Sequence, residues 1–334
     1  MIEKQLWHPV ALADDVADEP VGARLLGENL VLWRDGAGAV HAWADRCPHR
    51  GARLSLGCVV QGEGGVQLEC PYHGWRFESG GRCVHVPALP DFTPPATHRA
   101  TTHAAREAGG LVWARMEAPA EGEPDASPPV FAAEADGGLR KIDCGPYDVE
   151  TSAPRLVENF LDMAHFGFVH EGWLGARHMA VIDDYRVEAT AAGLLATGCK
   201  AWQPQSTVNS TAPAQVEYTY EVTAPYTAVL TKVPDAASVG IDDYRESIAL
   251  YICPMEHERC RVWFRFATSD FARDAASVRA FQDTIFLQDK PVLESQSPKR
   301  LPLDLRAELH TVADKASSLY RRQLRTRGIT FGVC

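Results

Sequence analysis

CPHRG at 47–51 and CPYHGW at 70–75 decide how this chain is read. Each stretch offers one cysteine and one histidine, each is followed closely by glycine, and 20 residues separate His49 from Cys70. Two thiolates and two imidazoles can hold one tetrahedral zinc or two irons bridged by sulfides, so four donors alone leave the metal open. Unliganded core cysteines and surface histidines would account for neither the mirrored spacing nor the glycines.

The chain around these loops has the composition of a folded protein. Of 334 residues, 46% are hydrophobic and 23% charged, enough to bury two cores. A formal net charge of -11 disfavours nucleic acid and other polyanions as partners. No apolar stretch approaches the roughly 18 residues that span a bilayer, and the opening MIEKQLWHPV lacks the pattern of a signal peptide. The expectation is a cytoplasmic chain with no membrane partner. Nine cysteines argue against a disulfide framework; Cys58, Cys83, Cys144, Cys199, Cys253, Cys260 and Cys334 read as ordinary thiols.

Short apolar runs broken by GEN and DGAG from 22 to 43, then VQLEC at 66–70 and GLVWARM at 110–116, read as small antiparallel strands. The Pro-rich run at 117–130 marks a boundary near residue 120, giving domains 1–120 and 121–334. Beyond it, Thr151 or Ser152 can cap a helix that accommodates Pro154 and ends near Gly172. Segments 216–233, 246–255 and 259–268 read as strands of a larger antiparallel sheet, followed by helices from about Asp274 to Asp289 and Leu303 to Arg327. The Arg-rich end of the last one reads as solvated or subunit-facing.

NFLDMAHFGFVH at 159–170 holds a second chemical signal. His165 and His170 stand about 140° apart around a regular helix, so they meet at one ion only if the helix is distorted or His170 lies at its end. FQDTIFLQDKPVLESQ at 281–296 offers Asp283 and Asp289 as a carboxylate partner. These are about 240° apart on a helix and cannot both face one point.

The cysteine and histidine loops, with Trp75 after the second, resemble the Rieske [2Fe-2S] signature, and 159–170 resembles the D-x-x-H-x-x-x-x-H motif of Rieske oxygenase catalytic domains. The resemblance covers the whole chain, from WHPV at 7–10 to the last helix. It implies an α+β protein: an all-β Rieske domain, then a catalytic domain whose antiparallel sheet is flanked by helices. It implies that Cys47 and Cys70 ligate one iron of the cluster and His49 and His73 the other, with Tyr72, Gly74 and Trp75 packing around it and limiting water access. His165, His170 and Asp289 then hold a mononuclear Fe(II), and Asp283 is a solvated carboxylate. Asp162 is implied as a bridge from His165 to the partner subunit's His73 in a head-to-tail homotrimer. Glu158 is left unassigned. The spacer between the loops reads as an extended hairpin.

The branch resembled is that of vanillate O-demethylase and the caffeine N-demethylases, within aromatic compound catabolism. It implies monooxygenation of a small aromatic substrate by O2, with demethylation and formaldehyde release. Direct hydroxylation or dihydroxylation of carbon would use the same ligands, and a Rieske electron carrier or a zinc-stapled protein are readings of other classes. No G-x-G-x-x-G follows an expected strand, so NAD(P)H is expected to be oxidised by a separate reductase, with or without a ferredoxin between. Gln282, Ile285 and Phe286 lie seven, four and three residues before Asp289 and can share its helix face as substrate contacts. For Trp263, Phe264, Asn209 and Tyr244, strand register decides.

Overall fold

In a computed structural model, residues 1–119, 121–122, 126–129, 131–241 and 243–334 are described. The chain divides into two units, Met1–Pro128 and Pro129–Cys334. The boundary expected near residue 120 falls on a residue outside the described ones. No helix among the described residues is long and apolar enough to cross a membrane.

The first unit is built of strands β1 (His8–Leu12), β2 (Val21–Leu25), β3 (Glu28–Arg34), β4 (Val40–Ala44), β5 (Cys58–Gly62), β6 (Gly65–Glu69), β7 (Arg76–Phe77), β8 (Cys83–His85), β9 (Thr102–Ala108) and β10 (Leu111–Arg115). Six form a sheet in the order β1-β10-β9-β4-β3-β2, and four form a second, β5-β6-β7-β8. Leu26 and Gly27, both at positive φ (49° and 80°), close the β2–β3 hairpin; the left-handed pair matches the twist of the flanking strands. Trp33 meets Trp43 edge-on at 5.1 Å and Trp43 meets Phe77 at 6.5 Å, so aromatic packing joins the two sheets. Cys47 and Cys70 are part of this buried cluster. The spacer between the two motif loops is the β5–β6 hairpin.

The second unit carries β11 (Arg140–Val149), helices α1 (Ala153–Leu161) and α2 (Phe166–Val169), then β12 (Arg186–Ala189), β13 (Leu194–Gln203), β14 (Ala214–Ala224), β15 (Thr227–Val233), the short α3 (Ala236–Val239), β16 (Glu246–Glu256), β17 (Arg259–Thr268), α4 (Ala275–Ser295) and α5 (Lys315–Thr326). Its seven-stranded antiparallel sheet runs β11-β17-β16-β15-β14-β13-β12. Register places Tyr220, Leu230, Ile248 and Phe266 side by side across four strands. The row formed by Tyr218, Lys232 and Glu246 lies one pleat away on the same face.

Three helices differ from expectation. The helix expected to run to Gly172 stops at Leu161, because Asp162 takes an extended conformation and its carboxylate accepts the Ala164 N–H at 2.7 Å. The second begins where expected, with Asp274 as its cap, but continues past Asp289 through Pro291 to Ser295. The third starts at Lys315 rather than Leu303: Leu303 donates its N–H to the Cys334 carbonyl, and a Thr311–Asp314 capping box sets the start further on.

Candidate metal centres

The two cysteine loops of the first unit have one backbone design. The Cys47 N–H donates to the Ala52 carbonyl at 2.8 Å and the Gly51 N–H to the Cys47 carbonyl at 2.9 Å. In the second loop Cys70 donates to Trp75 at 2.8 Å and Gly74 to Cys70 at 3.1 Å, at the same offsets. Gly51 and Gly74 both sit at positive φ (74° and 67°), and a Cβ on Gly74 would come within 3.0 Å of Pro87, which is why glycine recurs four residues after each cysteine. The cysteines are buried inside and the histidines stand at the rim, His49 half-buried and His73 exposed. Burial pushes the Cys47 thiol up to about 12.

The imidazole rings of His49 and His73 are 4.6 Å apart, and the buried Nδ1 of His49 has no hydrogen-bond partner. Among the described residues no three of these four side chains bring ligand atoms within 4.8 Å of one another. Buried cysteines inside and histidines at the rim suit a group that takes sulfur on one side and nitrogen on the other. Trp75 stacks parallel on His49 at 4.4 Å and on His98 at 5.6 Å. Tyr72 lies against His73 at 3.8 Å but is 63% exposed, so it packs on the ring without shielding it from water.

In the second unit the break after α1 makes convergence possible. His165 stands at the N-terminal end of α2 and His170 at its C-terminal end, so a four-residue helix presents both imidazoles to one point. Asp289, from the middle of α4, completes the group. The Nε2 atoms of His165 and His170 are 3.3 Å apart, and Asp289 Oδ1 lies 3.4 and 3.3 Å from them. A triangle of this size fits three donors on one ion with bonds of about 2.1 Å. Among the described residues, no other group of three potential ligands is so close.

Each donor is held from behind. Asp162 lies 3.2 Å from His165 Nδ1, Gln288 Oε1 lies 2.8 Å from His170 Nδ1, and Asn159 Nδ2 donates to Asp289 Oδ1 at 3.2 Å. Burial acts to raise the Asp162 carboxyl, but hydrogen bonding and charge from His165, with backbone N–H groups, outweigh it and hold the carboxyl below its ordinary value. Gln288 was missed in the sequence; its signal was only its place beside Asp289. Asp283 is half-buried and accepts the Tyr147 hydroxyl, so it is tied to a neighbour rather than fully solvated. Glu158 pairs with Arg321 at 2.6 Å, so the last helix buries one of its arginines instead of exposing the whole run.

The triad opens onto a partly enclosed cavity. The sheet face supplies Tyr220, Leu230, Ile248, Phe264 and Phe266, while Gln282, Ile285 and Phe286 face it from α4. Trp263 alternates with Phe264 and does not line the cavity; Asn209 is held by Asp270 and Arg273, and Tyr244 by Glu246. Apolar walls with a few polar groups are the usual form of a small-molecule site.

Residues 6–98 match the Rieske [2Fe-2S] domain and residues 149–327 the Vanillate O-demethylase oxygenase C-terminal domain. The sequence is 31% identical to methylxanthine N1-demethylase NdmA of Pseudomonas putida over 96% of this chain and 88% of the relative. It is 30% identical to methylxanthine N3-demethylase NdmB of the same organism, again over 96% and 88%. The structure of P. putida NdmA with caffeine superposes with a TM-score of 0.80 at 29% identity, covering 96% of this chain and 90% of that one.

Proposed function

This chain belongs to the Rieske oxygenases with a vanillate O-demethylase type C-terminal domain, and from that membership we propose that it is a terminal oxygenase removing a methyl group from nitrogen or oxygen of a small planar aromatic substrate. The observation that carries the reading is the triad of His165, His170 and Asp289 at the edge of an aromatic-walled cavity. Two histidines and one carboxylate leave coordination positions open beside the substrate. In this reading Cys47 and Cys70 hold one iron of the [2Fe-2S] cluster, His49 and His73 the other, and the triad holds Fe(II). When bound, the cluster supplies single electrons and the ferrous ion supplies the activation of dioxygen.

The chain's own part is orientation and exclusion of water. Asp162, Gln288 and Asn159 fix the three ligands, and Gln282, Ile285 and Phe286 direct the substrate's methyl group toward the triad. Hydroxylation of that methyl yields a hemiaminal or hemiacetal. Its carbon–heteroatom bond then breaks, a proton moves to the heteroatom, and formaldehyde leaves. One oxygen atom of O2 departs in formaldehyde and the other as water, with two electrons and two protons drawn from outside.

A separate reductase, directly or through a ferredoxin, passes electrons from NAD(P)H. The chains act as a cytoplasmic homotrimer, with Asp162 facing the partner subunit's His73 so that electrons cross between chains. The test is to assay the iron-loaded protein with a reductase against methoxylated and N-methylated aromatics. Oxygen uptake with matching formaldehyde is expected, at about three irons per chain. Oxygen uptake giving hydroxylated rings without formaldehyde would replace demethylation by carbon hydroxylation, and no uptake with only two irons per chain would leave an electron carrier.

A further inference from the structure

The floor of the cavity is mostly apolar, with the Tyr218 and Tyr220 hydroxyls on it, and Lys232 lines it while only 5% exposed. Its Nζ lies 2.5 Å from Glu246 Oε1 and donates to the Ser206 carbonyl at 2.7 Å. An ammonium has three N–H donors, and among the described residues these two contacts are the protein partners of Lys232. One donor is therefore left over, on a residue that lines the cavity. Glu246 cannot swing away to take it, because its other oxygen accepts the Tyr244 hydroxyl. Strand register fixes the place: Lys232 pairs with Tyr218 on one side and Glu246 on the other, one pleat beyond the row of Tyr220, Leu230 and Ile248.

We infer that Lys232 is the specificity-determining residue of this site, donating to a neutral acceptor oxygen, such as a ring carbonyl or aryl ketone, on the substrate, with Glu246 as its positioning residue. The inference rests on the demethylase reading and names what the substrate carries besides its methyl group. Charge chooses the acceptor. The ion pair is internally neutral, so it offers a directed N–H without net positive charge. A carboxylate entering here would lose its water beside an ammonium whose charge Glu246 already neutralises. A carbonyl oxygen loses less hydration and accepts the same hydrogen bond. A substrate without an acceptor would leave the third donor buried and unmet.

The test uses the iron-loaded enzyme with its reductase and methylated aromatics in three matched classes: neutral carbonyl, carboxylate and acceptor-free. One set is para-methoxyacetophenone, para-methoxybenzoate and para-ethylanisole. The carbonyl class is expected to lead in kcat/KM by about 10- to 100-fold, mostly through KM, with the same order in calorimetric binding without reductase. Lys232→Met combined with Glu246→Gln removes both charges together, leaving neither buried alone, and should abolish that preference while iron content and cluster absorption persist. Formaldehyde formed preferentially from carboxylates, or equally from all classes, overturns the inference and leaves the demethylase standing. So does a carbonyl preference that survives the double substitution. If no class yields formaldehyde, the demethylase reading fails first. Should the double variant not fold, the order among the three classes in the native enzyme decides.

Discussion

His170 illustrates how one contact sets the chemistry of a side chain. Gln288 Oε1 lies 2.8 Å from its Nδ1, so a proton there is held by an amide oxygen and Nε2 is left as the donor atom facing His165 and Asp289. Replacing Gln288 by Leu keeps the bulk but removes the acceptor. Affinity for ferrous ion is expected to fall about 10- to 100-fold, measured by titration against a chelator, while the visible absorption of the cluster stays as in the wild type. Undiminished affinity would show that the backbone of α2 holds the ring unaided. Asp162 stands in the same relation to His165. There the D-x-x-H spacing made the contact readable, whereas nothing about a glutamine beside the ligand Asp289 marked it as a partner of a histidine 118 positions earlier.

At the level of elements, α2 is positioned by what presses on it. A Cβ on Gly175 would fall 2.6 Å from backbone atoms of Phe166 and Gly167, and the Gly175 carbonyl accepts the Gly172 N–H at 2.9 Å. Gly175→Ala must push α2 aside and with it both histidines; loss of the mononuclear iron with retention of the cluster is expected, checked by metal analysis and cluster absorption. Helices α1 and α5 are tied by ion pairs: Arg155 to Glu308 at 2.5 Å, and Arg321 to both Glu158 and Glu308. The Arg155 hydrogen bond, aided by Arg321, holds the Glu308 carboxyl down to about 2 against the opposing effect of burial. Its ordinary value is 4.5, so its contribution to stability is complete above that pH and is lost as the pH falls toward about 2. Glu308→Gln should therefore lower Tm at neutral pH by a margin that narrows below about pH 4.5. A margin independent of pH would assign the effect to packing.

For the molecule as a whole, the question is whether electrons leave one chain for another. On the proposed assignment, chains carrying Cys47→Ser lack a cluster ligand and chains carrying His165→Ala lack an iron ligand, and each is expected to be inactive alone. Co-expressed and purified together as mixed assemblies, they should regain a measurable fraction of wild-type formaldehyde production under the proposed transfer from the cluster of one chain to the triad of its neighbour. No recovery in assemblies shown to contain both chains would place transfer within a single chain. The sequence by itself determined the candidate donors: Cys47, His49, Cys70 and His73 lie in short local motifs, and His165 and His170 within six consecutive residues, so residue type and short spacing are enough to nominate them. Only the tertiary structure decided how those donors converge. The extended Asp162 that breaks the helix, the seating of Asn159 against Asp289 from 130 positions away, and the polar row of Lys232 and Glu246 all depend on long-range packing and strand register, which local spacing does not encode.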